Sequence, residues 1–181
     1  MSATETPFRT SLRFALFYGA VFFVLGVVVP FWPIWLQSRG LTPGDIGIIL
    51  AVGPWMRVLV DPVIARLADH GGQGRRMLVI TAAVSLIAFS GFSLVSSFWL
   101  ILLITLIYAP SFHALIPLGD SQAMSAVLRH GLDYGRIRLW GSVTFIVGTL
   151  GVGALLTGRD PDLILLVIFL GLVAVLVTTV F

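Results

Sequence analysis

The sequence contains no cysteine and no lysine, and only 10% of its 181 residues are charged. Without cysteine there are no disulfides, no thiolate chemistry and no cysteine-based metal site, and the redox compartment leaves no trace by this route. So little charge is far below the roughly one quarter typical of a soluble domain. The eleven basic residues are all arginine and sit mostly in the connections between apolar runs. They form no contiguous patch with interleaved aromatics, so the net charge of +3 gives no support to nucleic-acid binding.

What is abundant is apolar: 58% of the residues are hydrophobic and the mean hydropathy is +1.06. Such a chain belongs in lipid. One helical crossing takes roughly 20 apolar residues, so this length admits about six crossings and no added soluble domain. Apolar runs bounded by charged or turn-forming residues predict an all-α bundle with spans at about 14–36, 46–65, 77–95, 98–118, 139–156 and 163–181. The first run is too long for the apolar region of a signal peptide and no small-residue cleavage site follows it, so it is retained as a span.

Arginines accumulate in short cytoplasmic segments. With the N-terminus inside, Arg9, Arg13, Arg66, Arg75, Arg76, Arg129, Arg136 and Arg138 fall on the cytoplasmic side, against Arg39 and Arg159 outside. Both chain ends are then cytoplasmic. The last run stays apolar through Phe181 with no charged or aromatic flank, which reads as a cut chain.

Ionisable groups inside a bilayer cost at least about 2.5 kcal/mol each and tend to pair or line cavities. Arg57, Asp61, His113 and Asp120 fall inside predicted spans, and Arg138 joins them if the fifth helix begins near Tyr134. Arg57 and Asp61 share a helix face, either neutralising each other or presenting Arg57 to an anionic substrate group. Pro62, next to Asp61, favours a bend there. His113 lies between Pro110 and Pro117, where irregular backbone is tolerated only beside protein or water. An interhelical hydrogen bond is the preferred role for it, over substrate binding or proton carriage. Asp120 and the Arg136 and Arg138 pair flank a helical hairpin, so the carboxylate and one guanidinium can meet, as a structural ion pair or as a substrate site. In the fifth helix Gly141, Ser142, Thr144, Gly148, Gly151 and Gly153 predict close helix packing.

An intramembrane enzyme using Asp61, His113 or Asp120 is the less favoured class. The sequence has no His-Glu-x-x-His helix, Gly-x-Ser-x-Gly elbow, P-loop or glycine-rich dinucleotide turn. No cofactor or metal is implied.

Two patterns resemble a known family. The stretch Ala65-Arg-Leu-Ala-Asp69 followed by Gly74-Arg75-Arg76 resembles the signature between the second and third helices of the major facilitator superfamily. Ala65 stands in place of that signature's glycine, and about two extra residues separate Asp69 from Gly74. The resemblance implies that Asp69, Gly74, Arg75 and Arg76 help latch two transporter halves on the cytoplasmic side. Over most of the chain, Val29-Pro-Phe-Trp-Pro-Ile-Trp-Leu36, Asp45-Ile-Gly-Ile-Ile49 and Tyr134-Gly-Arg-Ile-Arg-Leu-Trp-Gly141 resemble the lactose-permease and phenylpropionate-permease branch. That implies a substrate held by Asp120 and Arg138, with Phe145 where the lactose-permease type stacks a tryptophan on its sugar. The Arg57-Val-Leu-Val-Asp-Pro62 stretch is similar to the phenylpropionate side of the branch and tips the expected cargo slightly toward a small aromatic acid over a sugar.

The fold implied is the N-terminal six-helix half of a twelve-helix transporter, made of two inverted three-helix repeats in a bacterial inner membrane. The activity implied is proton-coupled symport by alternating access, with the proton-carrying residues mainly in a missing C-terminal half. The expected partners are a small-molecule substrate, protons, the lipid bilayer and that second half. A free-standing half that works as a dimer is the alternative.

Overall fold

The structure, a computed structural model, describes residues 7–69 and 73–180; a few side chains between 57 and 69 are outside the described set. The chain runs through α1 (Pro7–Ser38), α2 (Pro43–Asp69), α3 (Gly74–Ser90), a 3-10 turn (Gly91–Leu94), α4 (Phe98–His113), α5 (Leu115–His130), α6 (Tyr134–Leu156) and α7 (Asp162–Val180). Among the described residues there is no strand. Six helical segments among the described residues are long and apolar enough to cross a membrane, α4 and α5 together forming one of them.

Local chemistry explains where the helices start and stop. Thr42 and Asp45 cap α2 reciprocally: the Asp45 amide donates to Thr42 Oγ1 at 3.3 Å and the Thr42 amide to Asp45 Oδ2 at 3.0 Å. Pro43 follows as the first helical residue, where its missing N–H is harmless. Gly131 ends α5 in the left-handed region, φ 63°, with its amide on the Val127 carbonyl. Two residues on, the Asp133 side chain accepts the Arg136 amide and starts α6.

The fourth span differs from its expected end near residue 118. Helix continues to His130, so most of the polar stretch read as a connection is helical and only three residues separate α5 from α6. Pro117 is the reason for the misjudged end. It lacks the amide that would bond back to His113, a single missing bond that the helix carries on past, so it does not end the span. The missing donor shows as a local interruption at Ala114 between α4 and α5, where the backbone stays helical with the Ala114 amide on the Pro110 carbonyl and the Leu118 amide on the Ala114 carbonyl. The fifth span likewise begins earlier than expected, at Tyr134, because the Asp133 cap lies ahead of the apolar run.

The helix α1 is central, with Tyr18, Val21, Val24 and Val27 fully buried, and packs chiefly on α6 and α7. The α4 helix packs on α2 and α3, and α3 also meets α7. The leading helix of each three-helix repeat thus docks on the second and third helices of the other, the exchange expected of inverted repeats. Close approach of α1 and α6 depends on missing side chains. A methyl at Gly148 would lie 2.9 Å from the Phe23 carbonyl oxygen, and one at Gly26 would run into the Phe145 carbonyl. Thr149 Oγ1 adds a hydrogen bond to the Gly26 carbonyl at 2.8 Å. Near the Ser38 end of α1, Trp32 stacks on Trp35 at 4.6 Å within an aromatic cluster completed by Phe89, Phe92 and Tyr108. Asp162 of α7 accepts from Trp35 Nε1 at 3.1 Å and also pairs with Arg39.

Candidate substrate site

Asp120 is brought against α1 by the residue before it. Gly119 presses its backbone on the Phe17 ring, where any Cβ would collide, so α5 and α1 come close enough for Tyr18 to reach the carboxylate. The Tyr18 hydroxyl donates to Asp120 Oδ1 at 2.6 Å. Across the short α5–α6 hairpin, Tyr134 and Arg138 stand one helical turn apart on one face of α6. The Tyr134 hydroxyl donates to the same oxygen at 2.9 Å and Arg138 Nη1 at 2.6 Å. Arg138 Nη1 also donates to the Tyr134 hydroxyl oxygen at 3.1 Å.

All three donors converge on Oδ1, and among the described residues Oδ2 receives none. A carboxylate carries about four lone-pair sites, so half of its accepting capacity is unspent. The Arg138 guanidinium lies over the rings of Tyr18, Phe22 and Tyr134, 5.2–6.0 Å from their centroids. Arg138 and Asp120 side chains keep 35% and 37% of their surface exposed, so the pair is open on one side instead of being sealed. Chemically the arrangement is a cation on an aromatic bed beside a half-satisfied carboxylate. It can accept a hydroxyl at Oδ2 or offer the remaining guanidinium N–H groups to an oxyanion.

Of the residues singled out in the sequence, Asp120 and Arg138 are brought together, while Arg136 pairs at 3.4 Å with the exposed Asp133. Phe145 is half-buried on α6, seven residues beyond Arg138 and hence about 10 Å farther along the same face. His113 turns to α2: a methyl at Gly53 would lie 3.5 Å from its Nε2. It is not part of the Asp120 cluster. Arg57, Asp61 and Asp69 belong to α2, and their side chains lie outside the described residues. Gly74 opens α3 and is buried against Gln122 of α5, Arg75 Nη2 donates to the Val180 carbonyl at 2.5 Å, and Arg76 is exposed. Among the described residues no group of three or more His, Asp or Glu side chains gathers to hold a metal.

Sequence reasoning missed Tyr18, and it quoted Tyr134 only as part of a pattern. A tyrosine hydroxyl deep in an apolar run needs a polar partner, which was the available signal. A wide apolar groove of about 880 Å³ between α1, α6 and α7, lined by residues such as Leu12, Phe23 and Leu170, has no charged side chain among its described lining residues and is separate from this cluster.

Comparison with known proteins follows the same outline. The MFS_1 like family matches residues 11–181. The chain is 36% identical to the probable 3-phenylpropionic acid transporter of Escherichia coli (strain K12) over 163 residues, covering 90% of this chain and 43% of that protein. It is 34% identical to the maltose permease of Geobacillus stearothermophilus over 143 residues, covering 77% of this chain and 36% of that one. The crystal structure of the nucleoside transporter NupG superposes with a TM-score of 0.82 at 16% identity, covering 94% of this chain and 42% of that one, a likeness of fold. The chain thus spans about two fifths of the length of these relatives.

Proposed function

The chain belongs to the MFS_1 like family, a multi-pass membrane family of transporters rather than enzymes, and from this we propose that it forms the N-terminal half of a proton-coupled secondary transporter. The half carries the Asp120–Arg138 substrate site and moves a small organic solute by alternating access against a second six-helix half. The observation that carries this reading is the half-satisfied Asp120 beside an aromatic-bedded Arg138, on the open face of a bundle of inverted repeats. Such a cluster is costly in a bilayer unless it serves a path through it. The arginine bias supports a bacterial cytoplasmic membrane with the N-terminus inside. Gly74, Arg75 and Arg76, with Asp69, act at that surface as the latch between halves.

The cargo we favour is a small aromatic acid, because a carboxylate competes naturally with Asp120 for Arg138 while Phe145 and Phe22 offer rings for stacking. The similarity to a 3-phenylpropionic acid transporter is consistent with it. A sugar is the second reading, favoured by the open Oδ2, which is suited to a hydroxyl donor. Arg57 and His113, ionisable groups carried by spans α2 and α4, are assigned as further contacts.

Uptake of 3-phenylpropionate and of maltose into proteoliposomes holding the full-length protein, driven by an inward proton gradient, separates the two cargoes. Arg138→Ala is expected to abolish uptake of either while membrane insertion persists. Unimpaired uptake removes Arg138 from the site, and a gradient-independent rate removes the proton. A particle mass equal to two six-helix chains, active without any further six helices, replaces the half-chain account with the dimer.

A further inference from the structure

The apolar groove of about 880 Å³ between α1, α6 and α7 is not used by the Asp120 cluster. Its shape has a cause in connectivity. Helices α6 and α7 are joined at the far end through residues 157–161, and each packs on α1 while barely touching the other. The groove opens between them at the arginine-rich end, where Leu12 and Leu16 of α1 stand exposed on its floor. It stops partway along the bundle. Phe23 closes the deep end, its ring lying against Gly148 of α6 and Gly171 of α7, where a methyl would come within 3.3 Å and 3.5 Å of ring atoms.

The lining says what can fill it. Thr144 Oγ1 donates to the carbonyls of Trp140 and Gly141 at 3.0 Å, and Thr178 Oγ1 to that of Val175 at 2.8 Å, so both threonines spend their hydroxyls on their own helices. A solute rich in polar groups finds few partners there. Water does not settle in so apolar a concavity, and an empty one forfeits dispersion contacts, so the fitting occupant is hydrocarbon. Depth then selects its source. From Leu12 to Phe23 the α1 wall rises about 16 Å at 1.5 Å per residue. One leaflet of a hydrocarbon core about 30 Å thick is about 15 Å deep. A transmembrane helix of the second half would need a seat through both leaflets, whereas an acyl chain needs only one. Charge at the mouth agrees: Arg9, one turn before Leu12, and Arg136, one turn before Trp140, are exposed at that end, Arg136 sharing its charge with Asp133. Basic side chains at a membrane surface attract anionic headgroups.

We propose that this groove seats an acyl chain of an anionic phospholipid from the leaflet at the arginine-rich end, with the phosphate drawn to Arg9 and Arg136. The chain fills the space between α7 and the helix that carries Arg138, and Phe23 sets how deep it reaches.

The test titrates the full-length protein in a neutral maltoside detergent with phosphatidylglycerol whose acyl chains are brominated, because bromine quenches indole fluorescence on contact. Trp140 lines the groove, and its share of the signal is the difference between the unmodified protein and Trp140→Phe. Saturable quenching of that share is expected. Ala174→Phe, which sets a ring in the groove from an exposed position of α7, should raise the half-saturating concentration about fivefold or more. Leu170→Ala, which trims the exposed wall without adding bulk, should raise it about threefold. Arg9→Gln with Arg136→Gln should raise it about fivefold. Ile87→Phe, exposed on α3 and outside the groove, should leave it within about twofold. The proposal is overturned if the Trp140 share is not quenched, as when a helix of the second half covers the groove, or if quenching rises without saturating, which means passing contact with lipid. It is equally overturned if Ile87→Phe weakens binding as much as Ala174→Phe. Half-saturation by brominated phosphatidylcholine at the same concentration overturns the anionic headgroup.

Discussion

The seam between α1 and α6 and the seam between α4 and α2 hold equivalent places in the two inverted repeats, yet they are built differently. Along α1–α6, Gly26 leaves no room beneath the Phe145 carbonyl, Gly148 clears the Phe23 carbonyl only because it has no Cβ, and a methyl at Gly141 would touch the Phe22 ring at 3.0 Å. Along α2–α4, a methyl at Gly53 would make ordinary contacts of 3.5 Å with His113 and 3.8 Å with Ala109. Burial does not separate the two seams: 44% of the span in α1 and 44% of that in α4 and α5 is buried, against 17% in α6 and 12% in α2. Helices in lipid lack a hydrophobic drive to associate, so close backbone approach and interhelical hydrogen bonds set how firmly a seam holds. The tight seam belongs to α6, which carries Arg138, and to α1, which carries Tyr18. The looser one carries His113. Rigidity has been placed where three donors must meet one oxygen.

Substitutions can break that contrast. Gly26→Ala should cost most, about 3 kcal/mol, because the new methyl meets backbone that can yield only by parting α1 from α6. A lowered unfolding midpoint in detergent and poor accumulation in membranes would register it, and a neutral result would mean that the seam is not close-packed. Asp120→Ala should come next, at about 2 kcal/mol, since it strips the acceptor from Tyr18, Tyr134 and Arg138 together. Uptake by the full-length protein should be lost as well, whereas Gly26→Ala should reduce uptake only as far as it reduces the folded amount. Thr149→Val, which removes the bond to the Gly26 carbonyl, should lower stability by about 0.6 kcal/mol, the usual worth of an interhelical hydrogen bond in a membrane. Gly53→Ala should change stability least and in the opposite direction, raising it by about 0.5 kcal/mol through helix propensity. A loss there comparable to that of Gly26→Ala would erase the difference between the seams.

Much of this arrangement is readable before any coordinates. Six crossings follow from hydropathy alone, because lipid leaves the backbone no alternative to long apolar helices. That Asp120 and an arginine of the Arg136 and Arg138 pair can meet follows from the helical hairpin between them, although the spacing alone says neither which arginine it is nor how short the hairpin is. Tyr18 was invisible because α1 is apolar all round, and nothing local says which face of such a helix turns inward. The length of α5 was hidden for another reason. Charge between Ser121 and His130 reports solvent, not conformation, and a helix leaving the bilayer remains a helix. The difference between the two seams was equally concealed: glycines punctuate both α2 and α6, and only the partner surface decides which of them are under compression.

The interruption at Ala114 bears on Asp120 as a pivot bears on a pointer. Asp120 lies six residues beyond it, about 9 Å along a helix that rises 1.5 Å per residue. A change of about 10° in the angle between α4 and α5 would therefore carry the carboxylate roughly 1.5 Å sideways. Hydrogen bonds of 2.6 Å to Tyr18 and Arg138 do not survive such a displacement. The donor cluster would thus register that angle, complete as it stands in this structure and open at an angle about 10° away.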